Sequence, residues 1–367
     1  MPPPRPGLPC TGNVRTGPAG GPPRSVGRFR TERRIHDVSA LEVSDLTIDY
    51  AQARGKHFRA VDSLSFSLQA GRTLALVGES GSGKSSVLKA LSRLVTPSGG
   101  TIRLDGRDRV RAKDYRRAVQ MVFQDPFASL NPSHTVEHHL RRPLLATGYA
   151  RRGEQVRTAV ADLLGQVNLT PAADVARKRP HELSGGQRQR VAIARALAPE
   201  PSVLLADEPV SMLDVSIRLE ILNLLNRLKE DRRLALLYVT HDLATARHFS
   251  SEIMVMYRGQ VVERGPSDEV ILNPRHPYTQ VLAAAAPSTG ATREQVREAR
   301  LARQAARAQR DAERREVVVG DGCRFRPRCP FAMDVCAERP REAVIPAASG
   351  ADTGHRAMCW LHTGTPK

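Results

Sequence analysis

Thr73-Leu-Ala-Leu-Val-Gly-Glu-Ser-Gly-Ser-Gly-Lys-Ser85 sets the fold class. Thr73 to Val77 is an apolar run of strand length, 78–83 is a glycine-rich turn, and 85–94 is patterned as a helix. Strand, Gly-x-x-x-x-Gly-Lys-Ser and helix in that order make a phosphate-binding loop. Its glycines let backbone N–H groups wrap phosphate oxygens, and the helix N-terminus adds its positive dipole end. In this reading Gly78, Ser80, Gly81, Ser82, Gly83 and Ser86 belong to the cradle. Lys84 pairs with the β- and γ-phosphates, and the Ser85 hydroxyl ligates Mg²⁺.

Working outward, Leu41-Glu-Val-Ser-Asp-Leu-Thr-Ile48 and Leu64-Ser-Phe-Ser-Leu68 alternate as half-buried strands do. Val203-Leu-Leu-Ala-Asp207-Glu208 is an apolar strand ending in two carboxylates, and 234–239 is another apolar run. A carboxylate at such a strand end can hold Mg²⁺ through water, and a second one can act as general base toward an attacking water. Residues 126–200 are mostly helical in pattern, broken at Asn131-Pro132 and Arg179-Pro180, and 215–230 has helical periodicity. Alternation of strands and helices predicts a mainly parallel sheet flanked by helices.

Leu183-Ser-Gly-Gly-Gln187, at the start of a predicted helix over 188–197, narrows the class. With it the chain resembles the ATP-binding cassette (ABC) ATPases. The resemblance spans residues 40–272 and carries further motifs in order: Tyr50 as the aromatic that stacks on adenine (with Phe58 as a substitute), Gln124 of the Q-loop, Asp214 of the D-loop and His241 of the switch. It implies an α/β nucleotide-binding domain with a mainly parallel core, an antiparallel β subdomain and a helical subdomain at about 126–200. It implies ATP and Mg²⁺ as ligands, the metal held by Ser85, Gln124 and Asp207. Glu208 is then the general base and His241 a γ-phosphate contact. Ser184, Gly185, Gly186 and Gln187 are implied to face the ATP of a second subunit across a head-to-tail dimer. Ser86 and Met212 depart from the usual Thr and Ala.

Phe123-Gln-Asp-Pro-Phe-Ala-Ser-Leu-Asn-Pro132 and Asn273-Pro-Arg-His-Pro-Tyr-Thr279 narrow the resemblance to the oligopeptide/dipeptide importer ATPases, a family that also includes nickel importers. Its second ATPase subunit is the nearer of two paralogues. The implied partners are a paralogous ATPase subunit, two membrane permeases and an extracytoplasmic peptide-binding protein, with the chain on the cytoplasmic face of the inner membrane. Nickel, glutathione or another small solute is an alternative cargo. A nucleic-acid- or ribosome-acting ABC ATPase is the alternative class. At the start of 273–318, the expected extension and linker, His276-Pro-Tyr-Thr279 reads as a loop-to-helix start capped by Thr279 or a neighbour.

Residues 319–367 hold Cys323, Cys329, Cys336 and Cys359, while Cys10 sits alone near the N-terminus. A protein of the cytoplasm keeps few structural disulfides, so four thiols in a loop-rich segment suggest a metal staple. The spacing matches neither a zinc ribbon nor a ferredoxin run. The family resemblance implies a 4Fe–4S cluster; zinc and unliganded thiols stay open.

The chain has 367 residues and a net charge of +18, with only seven Lys among its 56 basic residues. Such a charge can mean a nucleic-acid or anionic-membrane partner, or simply the arginine excess of a GC-rich genome. Much of it lies in 1–39, a Pro-, Gly- and Arg-rich segment read as a disordered tail, and in a charged helix at 293–315. No nucleic-acid partner is expected. The longest apolar runs fall short of the roughly 20 residues a membrane helix needs.

Overall fold

The computed structural model describes residues 39–52, 57–148, 150, 153–284, 322–347 and 350–363. The expected basic tail, Cys10 and the charged helix at 293–315 lie outside them. Contacts divide the chain into two units, Met1–Asp37 and Val38–Lys367, and all that follows concerns the second.

Its strands are β1 (Ser39–Ala51), β2 (His57–Gln69), β3 (Thr73–Val77), β4 (Gly99–Leu104), β5 (Val119–Val122), β6 (Val203–Asp207), β7 (Ala235–Thr240), β8 (Glu252–Tyr257), β9 (Gln260–Pro266), β10 (Ala343–Pro346) and β11 (Asp352–Ala357). β2, β1 and β4 form an antiparallel sheet, while the others form one large sheet in the order β10-β11-β9-β8-β3-β7-β6-β5. Within it β8, β3, β7, β6 and β5 run parallel. β9, β11 and β10 continue antiparallel.

The parallel strands read as unbroken apolar runs because both of their faces are covered. The period of two sends Leu74 and Leu76 of β3 into one core with β1, β2 and helix Lys84–Leu91. Ala75 and Val77 go into the other, with helices Gly185–Leu197 and Val215–Arg232. β6 and β7 split the same way, Leu205 and Leu237 facing the first core, Leu204 and Leu236 the second. The helical stretch after Gln124 comprises Pro126–Ser129, Val136–Thr147, Gly153–Gln166, Ala172–Arg177 and Gly185–Leu197, and it breaks at both expected proline sites.

The cysteine-bearing segment is not a separate appendage. Its strands β10 and β11 widen the main sheet beside β9, and Phe325, 1 % exposed, belongs to the larger core. The junction centres on Glu263 of β9, whose carboxylate is fully buried. It lies 2.7 Å from His355 Nε2 and accepts from the backbone N–H groups of Arg275 (2.8 Å) and His276 (2.9 Å). A buried carboxylate needs such a set of partners to offset desolvation.

Candidate active site

The turn after β3 is held by backbone geometry that only glycine accommodates. Gly81 and Gly83 take φ of 82° and 107°. A Cβ on Gly83 would sit 2.4 Å from the Ala60 carbonyl oxygen, and one on Gly78 would sit 2.2 Å from that of Met256. Gly83 is the N-cap of helix Lys84–Leu91 and offers no side-chain cap. The Ser86 N–H already donates to Gly83 O at 3.0 Å, which leaves the Lys84 and Ser85 N–H groups for a ligand, the condition an anion site needs. Lys84 is buried, and its Nζ donates to the carbonyls of Gly78 (2.7 Å) and Glu79 (2.9 Å) and to Ser82 Oγ (3.4 Å). Burial lowers its pKa, against the pull of Glu208, Asp207 and Glu79. The ammonium is therefore already inside the loop when a phosphate arrives. Ser85 is exposed, and Tyr50 donates its hydroxyl to Ser86 Oγ at 3.2 Å, which places that ring beside the loop.

β6 delivers Asp207 and Glu208 to the same end of the sheet. Burial, then the neighbouring Glu208, pushes Asp207 up to about 6. Glu208 has φ 41°, its N–H donates to Val239 O (3.0 Å), and its carbonyl accepts from the N–H and hydroxyl of Ser211. That left-handed conformation turns the side chain out of the strand. Its Oε2 meets His241 Nδ1 at 3.1 Å and accepts from Gln124 Nε2 at 3.3 Å. The contact with His241 holds Glu208 below the usual carboxylate range and raises His241. Three residues from the ends of three parallel strands thus converge at one carboxylate. A carboxylate fixed this way can take a proton from water, and a hydroxyl, a carboxylate and an amide oxygen suit Mg²⁺.

The loop before Gly185–Leu197 is built differently. Ser184 is the N-cap. Its Oγ accepts from Gln187 N–H (3.2 Å), while Gln187 Oε1 accepts from Ser184 N–H (3.0 Å), closing a capping box. The helix begins at Gly185, three residues before the predicted start, because this box caps it. The Ser-x-x-Gln spacing carried that signal. Gly186 faces Ile217, and Asp214 precedes helix Val215–Arg232 without its side chain capping it. Met212, Val215 and Leu219 nearby are exposed apolar side chains.

Sequence reasoning missed what lies under the phosphate loop. Glu79 donates its N–H to the hydroxyl oxygen of Tyr278 at 2.9 Å, and its carboxylate pairs with Arg328 at 3.3 Å. The helix start at Pro277–Ala284 is capped by His276, whose Nδ1 accepts from Tyr278 N–H (3.1 Å). Thr279 Oγ1 is buried without a partner and caps nothing.

Cys323, Cys329, Cys336 and Cys359 line one small cavity, with His276, Met333 and Trp360. All four are free thiols. Burial pushes Cys359 up to about 11 and raises Cys323 and Cys329. Among the described residues no group of three or more His, Cys, Asp or Glu is set to hold a metal ion. No described helix is long and apolar enough to cross a membrane.

Residues 61–211 match the family model of the ABC transporter, and 262–336 match that of the oligopeptide/dipeptide transporter C-terminal region. A di/tripeptide transport ATP-binding protein of Pseudomonas aeruginosa is 39% identical over 310 residues, covering 81% of this chain and 92% of that one. An oligopeptide transport ATP-binding protein of Bacillus subtilis is 39% identical over 323 residues, covering 83% and 90%. Among solved structures, cbiO1 of Clostridium perfringens, part of the ABC transporter complex cbiONQ, superposes with a TM-score of 0.57 at 28% identity, covering 64% of this chain and 92% of that one. The dimeric ABC transporter cassette MJ0796 gives 0.54 at 30% identity, covering 62% and 98%.

Proposed function

We infer that this chain, which belongs to the ABC transporter ATP-binding proteins, is the ATP-hydrolysing subunit of an importer for di- or oligopeptides. The observation that carries the reading is the carboxylate of Glu208, fixed between Gln124 and His241 at the strand ends beside a Lys84-filled phosphate loop. The match of 262–336 to the oligopeptide/dipeptide transporter region supports peptide as the cargo class.

In this reading Gly78 to Ser86 hold the phosphates of ATP, and Tyr50 packs on adenine. On binding, Lys84 exchanges its carbonyl partners for phosphate oxygens. Ser85, Gln124 and Asp207 hold Mg²⁺, which supplies charge neutralisation on the phosphates. Glu208 takes the proton of the attacking water, and His241, already bonded to it, contacts the γ-phosphate. Ser184, Gly185, Gly186 and Gln187, with Asp214, complete the site of a second, paralogous ATPase subunit. The exposed Met212, Val215 and Leu219 beside Asp214 support such a partner. Closure of that dimer on ATP drives two permeases fed by an extracytoplasmic binding protein, with this chain peripheral to the cytoplasmic face. The cassette spans 40–272 and the importer-type extension follows it.

The cysteine cavity takes a 4Fe–4S cluster in this reading. Four thiols around one cavity support it. Anaerobically purified protein is expected to be brown and to hold iron and sulfide; colourless protein with stoichiometric zinc refutes the cluster.

The test of the whole reading is reconstitution of the chain with permeases, partner ATPase and binding protein in liposomes. Peptide-loaded binding protein is expected to stimulate ATP hydrolysis. Stimulation by nickel- or glutathione-loaded binding protein instead moves the cargo. Stimulation of the free subunit by DNA or ribosomes overturns the class.

A further inference from the structure

The cysteine cavity and the phosphate loop lie against each other through one short piece of chain. Residues 323–329 carry two of the cavity's thiols, and between them Phe325 and Arg328 reach away from the cavity. Arg328 Nη1 pairs with Glu79 Oε2 at 3.3 Å and also contacts Tyr257 Oη at 3.4 Å. Phe325 packs against Tyr278 and Tyr257, with ring centroids 5.5 and 5.2 Å apart. Tyr278 in turn accepts the Glu79 N–H. Glu79, the second residue of the phosphate loop, is thus gripped at its backbone and its carboxylate by two residues outside the loop. Each is the chain neighbour of a residue that lines the cysteine cavity, Arg328 of Cys329 and Tyr278 of Pro277.

A second strut runs from the same piece of chain. Arg324, next to Cys323, donates to the Arg258 carbonyl and pairs with Asp62 at 3.3 Å. The neighbouring Gly259 donates its N–H to Ser82 O at 2.8 Å and accepts from Asp62 N–H at 2.9 Å. The Tyr278, Tyr257 and Phe325 rings are essentially buried. A close-packed aromatic cluster of this kind moves between discrete arrangements and does not yield continuously.

We propose that occupancy of the cysteine cavity sets the affinity of the same chain's phosphate loop for ATP, with Arg328 and Tyr278 as the positioning residues that act through Glu79. The proposal rests on the nucleotide and cavity readings above. A cavity whose four sulfurs are tied together fixes the 323–329 turn, and with it the two groups that shape the second residue of the loop. A cavity whose sulfurs are untied or blocked leaves that turn to relax. Coupling between two sites is reciprocal, so ATP must change retention of the cavity's occupant by the same factor.

The test measures the dissociation constant of a fluorescent ATP analogue on the full chain in three states. These are loaded anaerobically with iron and sulfide, stripped by chelator, and alkylated at the thiols with iodoacetamide. We expect the loaded protein to bind about fivefold more tightly than the alkylated one, the lower end of usual allosteric factors. ATP should slow iron loss to a chelator correspondingly. Tyr278→Phe and Arg328→Ala should each shrink the difference between states toward one, while Arg328→Lys, which keeps the charge, should restore much of it. Y278F removes one oxygen and keeps the ring, so its melting temperature serves as the folding control.

Equal affinities across the three states in a chain that binds the analogue overturn the proposal. So does a difference that survives intact in folded Y278F and R328A. Failure to take up iron sinks the cluster reading alone, because the alkylated and stripped arms still report the coupling. Failure to bind the analogue in every state sinks the nucleotide reading, and the coupling with it.

Discussion

Two glycine-rich loops start two helices in this molecule, and they are made for different reasons. The phosphate loop at 78–85 has glycines that its own chain requires. Gly81 and Gly83 have positive φ, and Gly78 and Gly83 lie against backbone carbonyls that cannot retreat. It is packed from beneath by Ala60 and Met256 and held at Glu79 by Tyr278 and Arg328. The loop at 184–187 has glycines that its own chain hardly needs. Neither Gly185 nor Gly186 has positive φ; an added Cβ would meet Leu213 Cδ2 at 3.5 Å in one case and Ile217 Cγ2 at 2.8 Å in the other, both side-chain and not backbone atoms. The first loop is a finished wall of a site. The second is capped, open and small beyond the needs of its fold, which is how half of a shared site looks.

That contrast predicts where damage shows. The largest effect belongs to the chemistry itself. Glu208→Gln keeps the shape of the side chain and removes the base, so turnover by the assembled complex should fall roughly 10²–10⁴-fold. Binding of ATP should persist and the dimer should stay closed, as gel filtration with ATP would report. Retained turnover would remove Glu208 from the mechanism.

Gly83→Ala comes next. The new Cβ has the Ala60 carbonyl at 2.4 Å and a φ of 107° to tolerate. Strain and overpacking together cost about 3 kcal/mol. ATP affinity of the isolated chain should drop by more than tenfold, read by nucleotide titration, with a fall in melting temperature. A G83A chain that binds ATP normally would break the claim that this loop is set by its own backbone.

Ser184→Ala should act elsewhere. Losing the cap costs about 1 kcal/mol of stability. Nucleotide affinity of the isolated chain should be unchanged, since the Ser184 and Gln187 side chains bond each other and not the phosphate loop. Hydrolysis by the assembled pair should fall by at least tenfold if the hydroxyl serves the partner's ATP. Reduced affinity in the isolated chain would mean that the loop serves its own site.

Both loops were legible in the sequence for a physical reason. Each is local, so residue types at fixed spacing nearly determine the backbone and its chemistry. The strand ends bearing Glu208 and His241 were also legible, because apolar runs of strand length locate them and a parallel sheet brings them to one edge; Gln124 came from the resemblance alone, since the four residues of Val119–Val122 were not read as a strand. The supports were not. Tyr278 and Glu79 are 199 residues apart and Arg328 and Glu79 are 249 apart. A lone Tyr or Arg in a loop carries no signal of what it will touch. The addition of β10 and β11 to the sheet was hidden likewise, since Ala343–Pro346 is only four residues long and ends in proline, Asp352–Ala357 is polar, and β11 joins β9 across a long gap. The capping box was readable at Ser184 and Gln187, but the same two residues also fit a ligand reading, and spacing alone does not separate a cap from a contact.

The finest test of the contrast is Gly186→Ala. In the helix, Ala gains up to about 1 kcal/mol over Gly in propensity. Against this stands the clash with Ile217 Cγ2, the methyl branch on Cβ of a partly buried side chain, where overpacking costs roughly 1–3 kcal/mol. A partly exposed side chain can shift by the few tenths of an ångström required where a backbone carbonyl cannot, so the lower end applies and the two terms nearly cancel. The isolated G186A chain should melt close to the parent, and G186A/I217L should melt at or above G186A, because Leu keeps the volume and lacks the crowded γ2 methyl. Neither should lose ATP affinity. If the glycine is kept for a partner's phosphate, both variants should still lose hydrolysis once assembled, since relief of the clash with Ile217 does nothing for the other face. Recovery of hydrolysis in G186A/I217L would instead make the glycine a packing residue of its own chain, and the two loops would differ less than their geometry implies.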